Sequence, residues 1–115
     1  MISIYQIHLT DVEHDRVNEI GHMAMANESP KYYARLEVTN GFEAWKPIFF
    51  KHYEKTYEVG AENKEEAFEL TNLWHSIDLV HGLRPGYSSS VGDIFEDDGE
   101  FYICDHFGFK KIDIK

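Results

Sequence analysis

Cys104, Asp105 and His106 are consecutive and supply the residue types of a nucleophile, an orienting carboxylate and a general base. Neighbouring residues of a strand point to opposite faces, so Cys104 and His106 would share a side while Asp105 faces away. A thiol–imidazole contact is compatible with that spacing. No segment carries the signature of an oxyanion hole, however, and a cysteine within a strand is most often a small core residue. The expectation is therefore a protein that is not an enzyme and has no catalytic residue. An enzyme using Cys104 and His106, with Asp93 near the same pocket, is the alternative.

Seven histidines raise a second chemistry, metal ligation. His75 and His81 are six residues apart across an expected helix end, and His106 lies far along the chain. No His-x-x-x-His pair falls on a predicted helix, whereas a catalytic zinc needs three ligands in a tetrahedral arrangement. Cys104 is the only cysteine, which excludes an internal disulfide and a thiolate zinc cluster. No metal and no cofactor are expected. The run Ser88-Ser89-Ser90 before Val91-Gly92-Asp93 lacks the Gly-x-x-x-x-Gly-Lys pattern of a phosphate cradle. Its hydroxyls are expected to satisfy backbone groups at a strand entrance, with Asp93 closing a turn through its carboxylate.

The elements that must position these groups can be read from spacing. Ile2–Leu9 is β-prone, and Thr10 or Asp11 can cap a helix with Val17, Ile20 and Ala24 on one face, weakened by Gly21 and ended by 27–30. Tyr32, Ala34, Leu36 and Val38 alternate with polar residues, which predicts a strand, and Asn40-Gly41 predicts a hairpin turn after it. Phe42–Phe50 is aromatic but interrupted by Pro47, and Tyr53–Val59 reads as another strand. Asn63 with Glu66 three residues later resembles a capping box for a helix with Ala67, Leu70, Trp74 and Ile77 on one face. Glu62, Glu66 and Glu69 line the opposite face, and Leu73 falls towards them. After a loop over 83–90, Val91–Glu96 and Glu100–Asp105 flank the turn Asp97-Asp98-Gly99, and Phe107–Ile114 follows a bend at Gly108. This pattern predicts one α+β domain over residues 1–115. Its sheet is mainly antiparallel, with four to six strands and about two helices.

Charge narrows the partner. The chain of 115 residues carries 21 acidic and 11 basic residues, a net charge of −10 with histidine neutral. All of that excess lies between Glu54 and Asp105, where 13 acidic residues face three basic ones (Lys55, Lys64 and Arg84). Direct nucleic-acid binding and an anionic membrane surface are disfavoured, because both need a cationic patch. A field of this size can instead steer a basic partner. No apolar run approaches the ~20 residues that span a bilayer. Met1–Thr10 lacks a basic region followed by an apolar stretch, so a cytoplasmic setting is expected.

Residues Gly86–Ile94 and Phe101–Ile112, with Ser88-Ser89-Ser90-Val91-Gly92-Asp93-Ile94 and then Tyr102-Ile103-Cys104-Asp105-His106-Phe107-Gly108-Phe109, resemble the YodL-like domain. The pattern of that family is similar to Ser-x-Ser-Val-x-Asp-Val, a hairpin, then Tyr-Tyr-x-Asp-Ser-Phe-Gly-Phe. Ile4-Tyr5-Gln6-Ile7 resembles its opening strand, and Tyr53–Tyr57 with Glu66–Asn72 its central strand and helix. His106 replaces a common serine, and Thr39–Lys46 is an insertion. The resemblance implies a small protein or module of phages, plasmids and conjugative elements, with no catalytic residues to carry over. It makes Val91, Gly92 and Phe109 markers of the fold.

Together these readings predict a small acidic accessory protein of a mobile element. It would bind, and could inhibit, a host or element-encoded protein, for example a nucleic-acid-binding one, by presenting carboxylates where phosphates would sit. Glu62, Glu65, Glu66, Glu69, Asp97, Asp98 and Glu100 are the expected contact residues. A structural or homo-oligomerising domain, with the aromatic segment Tyr32–Tyr53 as its interface, is a further alternative.

Overall fold

A computed structural model describes residues 1–72, the backbone of 80–82, and residues 89–114. The elements are β1 (Ile2–Gln6), α1 (Asp11–Ile20), α2 (His22–Glu28), α3 (Pro30–Val38), β2 (Glu54–Val59), α4 (Lys64–Thr71), β3 (Val80–Gly82), β4 (Ile94–Asp97), β5 (Glu100–Cys104) and β6 (Phe109–Ile112). Two 3-10 turns, Phe42–Ala44 and Pro47–His52, join α3 to β2. The six strands form one antiparallel sheet in the order β3-β2-β1-β4-β5-β6.

The α+β class and the antiparallel sheet agree with the sequence pattern, but the helix count does not. Four α-helices are present among the described residues, where about two were expected. The predicted helix after Thr10 is divided, because Gly21 at φ +87° ends α1 and begins α2. Thr10 is the cap: its hydroxyl accepts from the Glu13 amide while the Glu13 carboxylate accepts from the Thr10 amide.

The larger correction concerns 32–38, which form a helix and not a strand. Ser29 accepts the Tyr32 amide and Pro30 occupies the first helical position, a start signal in its own right. The alternation arises because this helix is buried on two sides. Ala34 and Val38 pack on the sheet with Ile7, Ile94 and Ile103. Tyr32 and Leu36 pack on Leu9, Met25, Val17 and Ile20. Asn40-Gly41 accordingly turns no hairpin. Gly41 leads at φ +83° into the first 3-10 turn, and Pro47 opens the second, so no strand forms over 42–50. Within the aromatic stretch Tyr32, Phe49 and Tyr53 are buried, Trp45 and Phe50 pack against Tyr53, and Tyr33 and Phe42 are exposed.

The two faces of the sheet follow from strand register. Ile4, Phe95, Tyr102 and Lys111 lie opposite one another across β1, β4, β5 and β6 and therefore share a face. That face is covered by α4, whose Ala67 and Phe68 join Ile2, Ile4, Val59, Phe95 and Cys104. Phe95 and Phe109 meet edge to face there, with ring centroids 4.9 Å apart. The other face carries α3 and the 3-10 segment. α4 begins at the predicted cap, the Asn63 side chain accepting from the Glu66 amide at 2.8 Å, but the Glu66 carboxylate turns to the Glu62 amide, so the expected capping box is only half formed. Leu73, Trp74 and Ile77, expected further along it, lie outside the described residues.

Candidate functional site

Acidic groups behave in opposite ways at the two ends of β4. Its C-terminal end turns into β5 through Asp98 and Gly99, both at positive φ (53° and 79°), as a two-residue type I′ turn requires. Asp97 and Glu100 are paired across this turn and project from the face that α4 covers. The start of α4 reaches the same place. The Lys64 ammonium lies 4.3 Å from the Tyr102 ring centroid and 3.5 Å from Glu65. The Tyr102 hydroxyl donates to Glu100 at 2.8 Å, and Glu100 also pairs with Lys111 at 2.9 Å. A continuous chain of contacts thus links the helix start to the hairpin tip.

Among the seven acidic residues singled out by sequence, Glu62, Glu65, Glu69, Asp98 and Glu100 are exposed, while Glu66 and Asp97 are half-buried. Glu66 is held inward at the helix start, its carboxylate 3.4 Å from the Glu62 amide. Glu100 is held by Lys111 and Tyr102, whose hydrogen bonds keep its carboxyl below the usual range. Glu65 keeps its partner Lys64 in reach, and Glu62, Glu69 and Asp98 project into solvent with no ion pair among the described residues.

The N-terminal end of β4 is built differently. Gly92 adopts φ +98° and packs so tightly on the end of α3 that a Cβ would lie 2.7 Å from the Val38 carbonyl oxygen. Its carbonyl accepts the buried Tyr53 hydroxyl at 2.6 Å. Asp93 follows. Its Oδ2 accepts from the Gln6 amide group at 2.9 Å and from the Ser90 backbone amide at 3.0 Å, which closes the expected turn. Gln6 is itself buried and accepts from Thr56 at 2.8 Å. Thr56 reaches it because the β1–β2 register slips between Ile4 and Tyr5, leaving Thr56 as the extra residue of a bulge. Burial pushes the Asp93 carboxyl up to about 7, against the opposing effects of Gln6, Ser90 and the nearby Arg35 charge.

Asp93 lines a cleft of about 120 Å³ together with Gln6, Arg35, Thr39, Tyr53 and Ser90. Arg35 reaches it from α3 and donates through Nε to the Ile7 carbonyl at 3.3 Å. The sequence pattern makes Asp93 a turn residue, or a pocket residue in the enzyme alternative, but does not bring Gln6, Thr56, Arg35 and Tyr53 to it. The available signal was Gln6 itself, a polar residue on the inward side of a strand that otherwise reads Ile2, Ile4.

The three consecutive residues have different surroundings. Cys104 ends β5 buried, and burial beside Asp93 and Asp105 pushes its thiol up to about 12. A thiol held protonated is a poor nucleophile. Asp105 accepts from the amides of His106 (2.9 Å) and Phe42 (3.3 Å) through one oxygen, which ties it to the start of the first 3-10 turn. His106 is exposed, although it and Cys104 border one shallow cavity of about 180 Å³ with Phe68 and Phe109. Ser89 is buried and its hydroxyl lies 2.5 Å from that of Thr71, which ties the strand entrance to the end of α4. Ser88 and His75 lie outside the described residues, as does the His81 side chain.

Among the described residues, no group of three or more His, Cys, Asp or Glu side chains is arranged to hold a metal ion, and no helix is long and apolar enough to cross a membrane. Compared with protein-family models, curated proteins and solved structures, the chain has no match in any of the three.

Proposed function

We propose that this chain is a small acidic accessory protein of a mobile genetic element that binds, and thereby inhibits, a basic surface of a host protein. The observation that carries this reading is the chain of contacts from Glu65 and Lys64 through Tyr102 to Glu100. It connects Glu65 at the start of α4 to Glu100 beside the β4–β5 turn, which supports reading these two elements as one acidic surface. Lys64 and Lys111 are already engaged with Glu65 and Glu100, so they do not offset Glu62, Glu69 and Asp98. Carboxylates spread over a rigid helix start and a hairpin tip can occupy the positions of successive phosphates, which is how an acidic protein displaces nucleic acid from a basic groove. The mobile-element setting comes from the resemblance to the YodL-like domain.

The test is capture of partners from host lysate with the wild-type chain and with a variant carrying Glu62→Lys, Glu65→Lys, Glu69→Lys and Asp98→Lys. The expected result is a partner retained at low salt, released as ionic strength rises, and lost with the variant. Unchanged capture by the reversed variant would overturn the electrostatic reading.

A further inference from the structure

Phe107 has the most exposed large apolar side chain among the described residues, at 91%, and the acidic surface makes no use of it. We propose that it anchors a reciprocal contact between two copies of this chain, the Phe107 ring of each entering the cavity beside the same tip of the other.

The ring stands on the turn between β5 and β6, and that turn is held in place. The Asp105 amide donates to the Gly108 carbonyl at 2.8 Å, and one Asp105 oxygen accepts from the His106 and Phe42 amides. Gly41 has no Cβ where that carboxylate lies. Turn backbones call for Gly, Asn, Asp, Pro or Ser, so the turn itself does not account for a phenyl ring at its tip. An aromatic anchor presented by a fixed backbone loses little freedom on binding.

The receptor adjoins the anchor. His106 and Gly108, the neighbours of Phe107, line the cavity together with Cys104, Phe68 and Phe109. A cavity of roughly 150 Å³ takes benzene, so about 180 Å³ has room for one phenyl ring. Phe68 and Phe109 stand edge to face with centroids 6.4 Å apart and offer aromatic walls. Ring and receptor on adjoining residues make the patch self-complementary, so one two-fold axis seats both rings at once.

Charge and area fit a second copy. Residues 101–112 carry one acidic group, Asp105, against Lys110 and Lys111, so the patch is locally cationic and meets a chain that is acidic overall. It lies about 13 Å along β5 from the Asp98-Gly99 turn, which leaves the acidic surface uncovered. Two rings and the walls they cover bury roughly 800 Å², short of the roughly 1,200 Å² at which stable interfaces begin. The dimer is therefore transient, and the monomer predominates in dilute solution.

Sedimentation of the full chain from about 10 μM to about 1 mM tests this assignment. The average mass should rise from that of one chain towards twice that value. Higher ionic strength should strengthen the association by screening the repulsion of two chains at −10, the reverse of the release expected at the acidic surface. Phe107→Ala should weaken it by about tenfold or more while leaving the amide signals of the sheet in place, since the side chain it removes is exposed. In a mixture of isotope-labelled and unlabelled chains, the Phe107 ring of one copy should contact Phe68 and Phe109 of the other. Toluene, which supplies the ring without the chain, should shift the Phe68 and Phe109 signals and disperse the dimer. A chain that stays monomeric at about 1 mM would overturn the proposal. So would association that salt weakens, association that Phe107→Ala or toluene leaves intact, or ring contacts confined to one chain.

Discussion

The two ends of β4 hold carboxylates under opposite conditions. At the hairpin end, Asp98 and Glu100 stand in water, and what order Glu100 has comes from Tyr102 and Lys111. At the other end, Asp93 is taken out of bulk water and fixed by Gln6, a backbone amide and a cleft wall. The same functional group therefore supplies a long-range field at one end and a titratable proton at the other. Net charge counts these groups alike, whereas burial separates them.

Five substitutions test how deep this difference goes. The largest effect is expected from a pair of glycines. Gly92 and Gly99 both need positive φ, but only Gly92 has a backbone oxygen where its Cβ would go. Gly92→Ala should cost more than about 3 kcal/mol in urea unfolding, and Gly99→Ala about 1 kcal/mol. Equal costs would erase the distinction between the ends.

Asp93→Asn comes next, through pH. The folded carboxyl titrates near 7 against 3.8 in an open chain, so the folded state holds the proton more tightly. Its contribution therefore favours the folded state below about pH 4, declines as pH rises towards 7, and is constant above that. Between about pH 4 and about pH 8 the unfolding free energy of the wild type should fall by about 4 kcal/mol more than that of the variant. A parallel pH profile for the two proteins would show Asp93 to be an ordinary surface acid.

A smaller effect is expected at the exposed end. Asn63→Ala removes the cap of α4 and should cost about 1 kcal/mol, with loss of helical signal confined to that segment. Smallest of all is Glu100→Gln. It leaves a fully exposed ion pair without its charge, and the urea midpoint should not move. A clear drop would mean that the Lys64–Tyr102–Glu100–Lys111 chain is a structural support as well as a charged surface.

Several elements are legible from local chemistry alone. The Thr10 and Asn63 caps and the Asp98-Gly99 turn each depend on residues within four positions of one another. The opening strand is visible in the sequence too, although it ends at Gln6 and does not continue to Leu9. Segment 32–38 misleads because a helix pressed between two cores shows apolar residues at every second position, the period of a strand. The cleft is illegible for a different reason. Gln6 meets Asp93 across 87 positions and Thr56 across 50, and a register slip in the sheet, invisible in composition, turns Thr56 towards Gln6. The acidic residues are easy to see, but that Asp97 and Glu100 project from the face that α4 covers depends on strand pairing.

The position of β1 in the sheet also bears on how the chain is assembled. This strand, the first of the six in sequence, lies between β2 and β4 and finds its last partners at Ile94, Phe95 and Glu96. Until residue 96 has been made, one edge of β1 and the side-chain amide of Gln6 wait for the groups they will meet in the finished sheet. Closing that span is entropically costly, so the sheet and the cleft are completed only once residue 96 is available. A nascent chain halted before Glu96 would hold the acidic helix but neither the hairpin nor the cleft.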